Sequence, residues 1–136
     1  GLMVAQAVLE SGWGNSWLAT KLFNFYGRTA LPTKKGCPNK LQKGKVCYKT
    51  YKSMEESVHD QVYYLNTSFA APYLEAFRAR RWAIRKQGKR LDSLAVLNSF
   101  LGYSERGNAY IAELKKIVSG PRGLDHWRFL DGEGAP

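Results

Sequence analysis

The sequence predicts a mainly α-helical domain with a small loop or β-hairpin excursion at about residues 28–51. Apolar residues recur at helical spacing through most of the chain, and helix stop signals such as Gly12 and Gly88 separate one helical segment from the next. The stretch at 28–51 differs because it combines turn residues with β-formers such as Val46 and Tyr48. With 136 residues, of which 44% are hydrophobic, the chain is long enough to bury a core.

Each predicted helix begins or ends at a residue that favours that position. Ser53 and Glu56 have the spacing of a capping box, and Asp92 suits the N-cap of a later helix. The predicted helices are one ending near Ser11, one from the N-cap Asn15 to about Leu22, one from Ser53 to about Asn66, one from Pro72 to Lys86, one from Asp92 to Leu101 and one from about Arg106 to Val118. In the third helix, the apolar spacing predicts a buried face of Met54, Val58, Val62 and Leu65.

The predicted organisation is one domain at residues 1–120 followed by a C-terminal tail at 121–136. The chain opens on Gly1 and is already in a helical pattern there, so we expect a domain truncated at its N-terminus. A signal peptide or a preceding helix would then have been lost. No apolar run reaches the length of about 20 residues that a membrane span needs, so this fragment is predicted to have no transmembrane segment.

The formal net charge of +10 indicates a polyanionic partner or surface. Seven lysines and no acid occur at residues 34–52, and seven basic residues and no acid occur at 78–90. Nucleic acid is one partner with suitable chemistry, and an anionic cell wall or membrane surface is another. The alternative for any single residue is a solvated face that aids solubility.

The two cysteines, Cys37 and Cys47, flank a loop rich in glycine, proline, asparagine and lysine. A disulfide across this loop is plausible in an exported protein, and two free thiols are the alternative. Zinc is not expected, because neither His59 nor His126 has a ligand spacing with the cysteines. The sequence also lacks a phosphate-binding loop and a metal signature, so we expect no cofactor and no metal site.

Glu10 is the only carboxylate in the first 54 residues, and it lies at the end of an apolar helical run. Gly12 and Gly14 then supply helix stop signals. The carboxylate would therefore meet the negative end of the helix dipole, with Trp13 and Trp17 close by in sequence. Both effects disfavour the ionised form, which suits proton donation to a leaving group. The alternative is an ordinary solvated glutamate at a frayed helix end.

Most of the other acidic residues have simpler predicted roles. Glu56 belongs to the predicted capping box and Asp92 to a predicted N-cap. Elimination leaves Glu10 as the main catalytic candidate, with Glu105 and Asp60 as weaker ones. No second acid occurs within 40 residues after Glu10, so a local carboxylate pair is absent.

Several motifs resemble glycoside hydrolase family 73. Residues 5–14 (AQAVLESGWG) look like the family's Ala-Gln-x-x-Leu-Glu-Ser-Gly-Trp-Gly signature, and residues 24–27 (NFYG) resemble the Asn-Leu-Phe-Gly that follows it. Residues 103–110 (YSERGNAY) resemble the Bax-like branch of the family. The resemblance covers roughly residues 3–118. It implies a bacterial N-acetylglucosaminidase that cuts peptidoglycan on a lysozyme-like, mainly α-helical fold.

The resemblance also implies roles for individual residues. Glu10 matches the general acid that protonates the glycosidic oxygen, and Tyr110 matches an aromatic residue of the active cleft. Flat aromatic faces and amides suit hexose rings and acetamido groups. The residues that the resemblance places at the substrate are Ser11, Trp13, Asn24, Tyr26, Tyr103 and Glu105. For Tyr103 a core position, and for Trp13 a packing role, are equally good interpretations.

The chain departs from the family in one respect. Relatives often carry a second carboxylate in the hairpin segment, whereas residues 28–51 here are only basic or neutral, and Cys47 takes about the place of that carboxylate. The carboxylate separation that distinguishes inverting from retaining enzymes therefore cannot be applied. Three hypotheses remain: the substrate's own acetamido group assists, a distant acid such as Glu105 swings in, or the activity is weak.

The function implied is a peptidoglycan hydrolase, an endo-β-N-acetylglucosaminidase that cleaves the β-1,4 bond after N-acetylglucosamine. A lytic transglycosylase of the same fold, which needs one catalytic glutamate, is the nearest alternative. A non-catalytic module that binds cell-wall or other polyanions is a further one. The expected partners are peptidoglycan glycan strands and the anionic cell-wall surface, with no nucleic acid. We expect a monomer that acts in the cell envelope, periplasmic or extracellular.

Overall fold

The computed structural model of the protein describes residues 1–34, 36–37, 42–43 and 46–120. The predicted tail at 121–136 lies outside these residues. Mainly helical architecture with a small β excursion, as the sequence predicts, is confirmed. The described elements, in chain order, are α1 (Leu2–Ser11), α2 (Trp17–Leu22), β1 (Thr29–Ala30), β2 (Gln42–Lys43), β3 (Val46–Tyr48), α3 (Met54–Thr67), α4 (Pro72–Lys86), α5 (Ser93–Val96), a 3₁₀ helix (Leu97–Phe100) and α6 (Asn108–Val118).

The chain divides into two compact units. The first unit is Gln6–Tyr63, and the second combines Gly1–Ala5 with the chain from Tyr64 onward. Among the described helices, none combines the length and the apolar character that crossing a membrane requires.

The first unit contains a three-stranded antiparallel sheet with the strand order β1-β3-β2. Ala30 and Gln42 both pair with Cys47 of the central strand, from opposite sides. Cys47 is only 3% exposed and forms a disulfide with Cys37. The disulfide therefore joins the connection between β1 and β2 to the central strand.

The start of α2 differs from the prediction. Ser16, not Asn15, is the N-cap, and its hydroxyl accepts the N–H of Ala19 at 3.1 Å. Ser16 has the extended backbone that an N-cap requires, with ψ at 153°. Asn15 is used one step earlier, where its N–H closes a turn on the carbonyl of Gly12 at 3.2 Å.

The capping box of α3 forms with one change of partner. The Ser53 hydroxyl accepts the N–H of Glu56 at 3.3 Å, as predicted. The Glu56 carboxylate accepts the N–H of Lys52 at 2.6 Å, one residue before the one that the motif usually reaches. Both bonds satisfy backbone donors near the start of the helix, so the helix begins at Met54.

The predicted buried face of α3 is wrong in part. Met54 and Val62 are 47% and 42% exposed, whereas Ser57 and Gln61 are fully buried beside Leu65. The physical reason is visible at Ser57, whose hydroxyl accepts the N–H of Phe25 at 3.2 Å. A polar residue can be buried where a loop offers it a partner, and the apolar pattern does not register this.

The second unit has a core of aliphatic and aromatic residues from α4 to α6. The Asp92 carboxylate accepts the N–H of Leu94 at 3.0 Å, which confirms the predicted N-cap. The single helix predicted from this cap is instead α5 followed by the 3₁₀ helix. The buried core residues of this unit include Leu74, Phe77, Ile84, Leu91, Val96, Leu97, Phe100, Leu114 and Val118.

Candidate active site

Glu10 is the next-to-last residue of α1 and is half-buried. Two bonds close the helix behind it: the N–H of Trp13 donates to Val8 at 2.8 Å, and the N–H of Gly12 donates to Leu9 at 3.4 Å. This pair is the Schellman arrangement, and Gly12 has the left-handed backbone that it needs, with φ at +57°. Local signals therefore fix the carboxylate at the carbonyl end of the helix.

The turn after α1 is unusual because three successive residues have positive φ. The angles are 57° at Gly12, 59° at Trp13 and 79° at Gly14. A left-handed conformation costs a residue with a side chain about 1–2 kcal/mol, so Trp13 is held against its own preference. Trp13 is 58% exposed, so much of its surface faces solvent.

Ser11 stabilises this turn through two hydrogen bonds. It is 1% exposed, and its hydroxyl accepts the N–H of Gly14 at 2.8 Å. Its carbonyl accepts the N–H of Ser16 at 2.9 Å, which connects the turn to the cap of α2. The bonds of Ser11 thus position Trp13, and direct contact between Ser11 and a substrate stays a prediction.

Asn24 and Tyr26 lie between α2 and β1 and are both buried. The Asn24 amide donates to the carbonyls of Arg28 at 2.8 Å and Lys49 at 2.9 Å, and its oxygen accepts the Arg28 N–H at 2.9 Å. It therefore ties the two ends of the β excursion together. Burial raises the pKa of Tyr26 to about 12, so its phenol stays protonated at neutral pH. Substrate binding by either residue stays a prediction.

Asp60, a weaker catalytic candidate, is part of an ionic network. Lys49 Nζ lies 2.7 Å from one carboxylate oxygen of Asp60, and Arg28 Nε lies 3.3 Å from the other. The Tyr51 hydroxyl donates to the carboxylate at 2.7 Å.

These contacts decide the protonation state of Asp60. Burial acts to raise its pKa, but the bonds from Lys49, Tyr51 and Arg28 outweigh it and lower the pKa overall. Burial and the bond to Asp60 raise the pKa of Tyr51. An ionised and engaged carboxylate is a poor proton donor, so Asp60 organises the excursion instead. The sequence contained a signal for this role, since Asp60 closely follows a stretch of seven lysines without an acid.

In the second unit, Tyr103 and Tyr110 come together. Their rings stack with centroids 5.6 Å apart and planes 16° from parallel. Tyr73 packs edge-on against Tyr103 at 5.7 Å, and its hydroxyl is 2.8 Å from that of Tyr64. Tyr110 is 2% exposed, whereas Glu105, in the turn after Tyr103, is exposed.

The sequence predicts Cys47 at about the place of the family's second carboxylate, and Cys47 forms a disulfide with Cys37 and so does not titrate. Within the described part of the chain, no three histidine, cysteine, aspartate or glutamate side chains gather as a metal site.

Comparison with known proteins identifies the family. The family described as glucosaminidase, mannosyl-glycoprotein endo-beta-N-acetylglucosaminidase, matches residues 1–120. The chain belongs to the glucosaminidase family. The resemblance to glycoside hydrolase family 73 is thereby confirmed.

A relative in this family is Protein bax of Escherichia coli (strain K12). It is 34% identical over 109 residues, which are 80% of this chain and 38% of that protein. The chain thus spans well under half the length of this curated relative. The match agrees with the Bax-like branch that residues 103–110 indicated.

Two solved structures share the fold. The catalytic domain of the autolysin Auto from Listeria monocytogenes has a TM-score of 0.60 and 24% identity, over 87% of this chain and 69% of that one. A peptidoglycan hydrolase from Sphingomonas sp. A1 has a TM-score of 0.58 and 21% identity, over 99% and 85%. The lysozyme-like fold is confirmed.

The candidate site residues are distributed over both units. The first unit carries Glu10, Ser11 and Trp13 at the end of α1, with Asn24 and Tyr26 after α2. The second carries Tyr103, Glu105 and Tyr110 at the end of the 3₁₀ helix and in α6.

Proposed function

We propose that the protein is a peptidoglycan hydrolase, an endo-β-N-acetylglucosaminidase that cleaves the β-1,4 bond after N-acetylglucosamine with Glu10 as general acid. The supporting observation is the position of Glu10, half-buried at the carbonyl end of α1 in a chain of the glucosaminidase family. The dipole of α1 opposes a negative charge there, which favours the proton-donating form of the carboxyl. Trp13, exposed three residues later, offers a flat face to a sugar ring.

The chemistry then needs a group that attacks the anomeric carbon. The Asp60 carboxylate is paired with Lys49 and Arg28, and Cys47 is in a disulfide, so we assign neither residue the role of nucleophile or base. In our proposal the acetamido oxygen of the substrate attacks the anomeric carbon while Glu10 protonates the departing glycosidic oxygen. Water then opens the cyclic intermediate and gives a proton back to the Glu10 carboxylate. This route retains the configuration at the anomeric carbon, as in other substrate-assisted glycosidases.

Glu10→Gln tests this function. Purified peptidoglycan is digested with the wild type, with Glu10→Gln and with the matched variant Glu105→Gln, and the new ends are identified by mass spectrometry after reduction with borohydride. Because a general acid contributes about 10²–10⁴-fold, Glu10→Gln should lose at least a hundredfold in rate, and reduced N-acetylglucosamine ends should appear only with active protein. Glu105→Gln should lose little.

Other outcomes would change the catalytic residues or the function that we assign. A comparable loss in Glu105→Gln would make Glu105 the missing acid and remove the substrate-assisted route. Full activity in Glu10→Gln would eliminate the general acid, and wall binding without any cleavage would indicate a non-catalytic module.

A lytic transglycosylase remains the second candidate, because the described first unit carries one acid suited to proton donation. In that enzyme the muramic acid hydroxyl, rather than water, attacks within the substrate. The same digestion separates the two functions, since 1,6-anhydro ends would replace the reducing ends.

The proposed substrate lies outside the cytoplasmic membrane, so we place the protein in the periplasm or outside the cell. The disulfide between Cys37 and Cys47 supports an oxidising compartment. The net charge of +10 would favour contact with the anionic wall. The monomeric state stays a prediction.

A further inference from the structure

A stripe of alternating aromatic and basic side chains runs along α4 in the second unit. Its members are Phe69, Arg78, Trp82 and Lys86, and we call them the cation–aromatic stripe. The guanidinium of Arg78 lies 5.1 Å from the centre of the Phe69 ring, and the ammonium of Lys86 lies 4.8 Å from that of Trp82. Arg78, Trp82 and Lys86 are four residues apart, so they share one side of the helix.

The two aromatic rings of the stripe are unusually exposed. Phe69 is 88% exposed and Trp82 is 64% exposed, while Phe77 and Ile84, on another side of α4, are buried in the core. Packing among the described residues of the second unit, up to residue 120, therefore does not account for these rings. Exposed aromatic groups of this size, rimmed by polar residues, are typical of an interaction surface.

The segment that carries the stripe, α4 and the residues just after it, is strongly basic. Residues 72–90 contain seven basic side chains and one acid, Glu75, which lies in the first turn of α4. The next acid, Asp92, is used as the N-cap of α5. Arg78 is fixed as well as charged, because it donates to the carbonyls of Leu65 at 3.1 Å and Ser68 at 2.8 Å. This charge favours a partner of negative charge.

The surroundings of Phe69 narrow the chemistry of that partner. The three residues that follow it, Ala70, Ala71 and Pro72, have apolar side chains, and the Ser68 hydroxyl before it accepts the N–H of Ala70 at 3.2 Å. This apolar segment suits hydrocarbon, which needs no hydrogen-bonding partner. Tryptophan prefers the boundary between lipid headgroups and acyl chains, and basic side chains reach anionic headgroups from the same depth.

We propose that the cation–aromatic stripe binds the surface of an anionic phospholipid membrane. Phe69 and Trp82 enter the boundary between headgroups and acyl chains, and Arg78, Lys86 and the adjacent Lys89 contact lipid phosphates. The protein then lies on the membrane and does not span it. The proposal does not depend on Glu10, since no residue of the stripe belongs to the catalytic set.

Vesicle sedimentation tests the proposal with the chain of residues 1–136. We expect the wild type to sediment with an equimolar mixture of phosphatidylglycerol and phosphatidylcholine, to stay in solution with pure phosphatidylcholine, and to be released by salt. Since one basic side chain near such a surface changes affinity about fivefold, Lys86→Gln/Lys89→Gln should bind on the order of twentyfold more weakly. Lys115→Gln/Lys116→Gln removes the same charge from exposed positions of α6 and should bind like the wild type.

A second set of variants tests the aromatic side chains of the stripe. Phe69→Ala should weaken vesicle binding about tenfold, because the ring no longer enters hydrocarbon. Trp17→Ala removes an aromatic ring that is 47% exposed in the first unit and should leave binding unchanged. Circular dichroism and thermal unfolding establish that each variant is folded.

Three results would overturn the proposal: no binding to anionic vesicles, equal binding by both double variants, or equal binding by Phe69→Ala and the wild type. Binding of a single-stranded oligonucleotide through Lys86 and Lys89, without vesicle binding, would assign the stripe to nucleic acid. Glu10→Gln should bind vesicles normally, so failure of the enzymatic proposal and failure of this one give different results.

Discussion

Trp13 is held in a backbone conformation that favours glycine, and its indole faces solvent. Gly12 and Gly14 on either side tolerate the left-handed region, whereas Trp13 does not. Ser11 compensates by accepting the N–H of Gly14, and the Schellman bonds fix the other end of the turn. A strained residue that the surrounding bonds enforce is a reason to look for function there.

Trp13→Gly should therefore make the protein more stable and less active. Removing the strain should raise the free energy of unfolding by about 1 kcal/mol and the midpoint of thermal unfolding by about 3 °C. Loss of the aromatic face should slow peptidoglycan cleavage roughly tenfold. Calorimetry and a wall-clearing assay measure the two effects.

Phe23 supplies the matched control for this variant. It is also a left-handed, exposed aromatic residue, with φ at 50° and 43% exposure, but it ends α2. Phe23→Gly should show a similar gain in stability with unchanged activity. Equal loss of activity in both variants would mean that Trp13 has no special place at the substrate.

Single residues were predictable where their neighbours in sequence determine them. Glu10 lies at the end of α1 because Gly12 and Gly14 follow it, and both glycines are visible in the sequence. The positive φ of Trp13 was not predictable, because it depends on bonds from Ser11. Asn15 and Ser16 are both good N-caps, and local preference does not choose between them.

Among the elements, the β excursion depends on contacts from outside its own strands. Cys47 in β3 is bonded to Cys37, ten residues earlier. Asn24 and Asp60 bind the backbone and side chains on either side of it. The two-residue strands β1 and β2 give the sheet little stability by themselves.

Removing the disulfide should loosen this element. Closing a loop of this length contributes about 3 kcal/mol in the chain-entropy account, so Cys37→Ser/Cys47→Ala should lower the free energy of unfolding by about that amount. Denaturant unfolding with and without reductant measures it. The wild type should lose stability when reduced, and the variant should not respond to reductant. A wild type that is indifferent to reductant would contradict the prediction.

The excursion and α3 show where prediction from pattern ends. The turn residues and β-formers at 28–51 were enough to identify the excursion, because they act locally. The buried face of α3 was not, because Ser57 is buried by its bond to Phe25, a residue 32 positions away. Sequence spacing reports apolar burial and is silent on polar partners of this kind.

At the scale of the whole molecule, the pH dependence of stability should follow Asp60. Its pKa is lowered in the folded protein, so the stabilisation is complete above the unfolded value of about 4. It is lost as the pH falls through the lower folded value, because the unfolded chain then binds the proton more readily. Basic partners such as Lys49 and Arg28 then remain without their counter-charge.

Asp60→Asn should destabilise the protein at neutral pH by about 1–3 kcal/mol, since it leaves two partly buried cations uncompensated. The variant should also lose less stability than the wild type between neutral pH and about pH 3. Urea unfolding at both pH values measures this. Glu75→Gln, which removes an exposed acid, should behave like the wild type at both. If the free energy of unfolding changed with pH in the same way in Asp60→Asn and in the wild type, Asp60 would be excluded as the origin of the pH dependence.

The fold class was the most predictable property of the protein, because helical periodicity and helix stop signals are repeated many times along the chain. Individual long-range partners were the least predictable. Tyr103 and Tyr110 were assigned to one site through their motif, and their rings do stack. Asp60, by contrast, belongs to no motif, and only the folded chain brings Lys49 and Arg28 to it.

The brevity of the outer strands has a consequence for behaviour in concentrated solution. The sheet order is β1-β3-β2, and each outer strand has two residues. An exposed edge strand is a template on which a second molecule can add its own backbone, and short edges offer few groups for such growth. We therefore expect that this sheet does not nucleate strand-to-strand aggregation, and that precipitation of the protein begins from exposed apolar side chains instead.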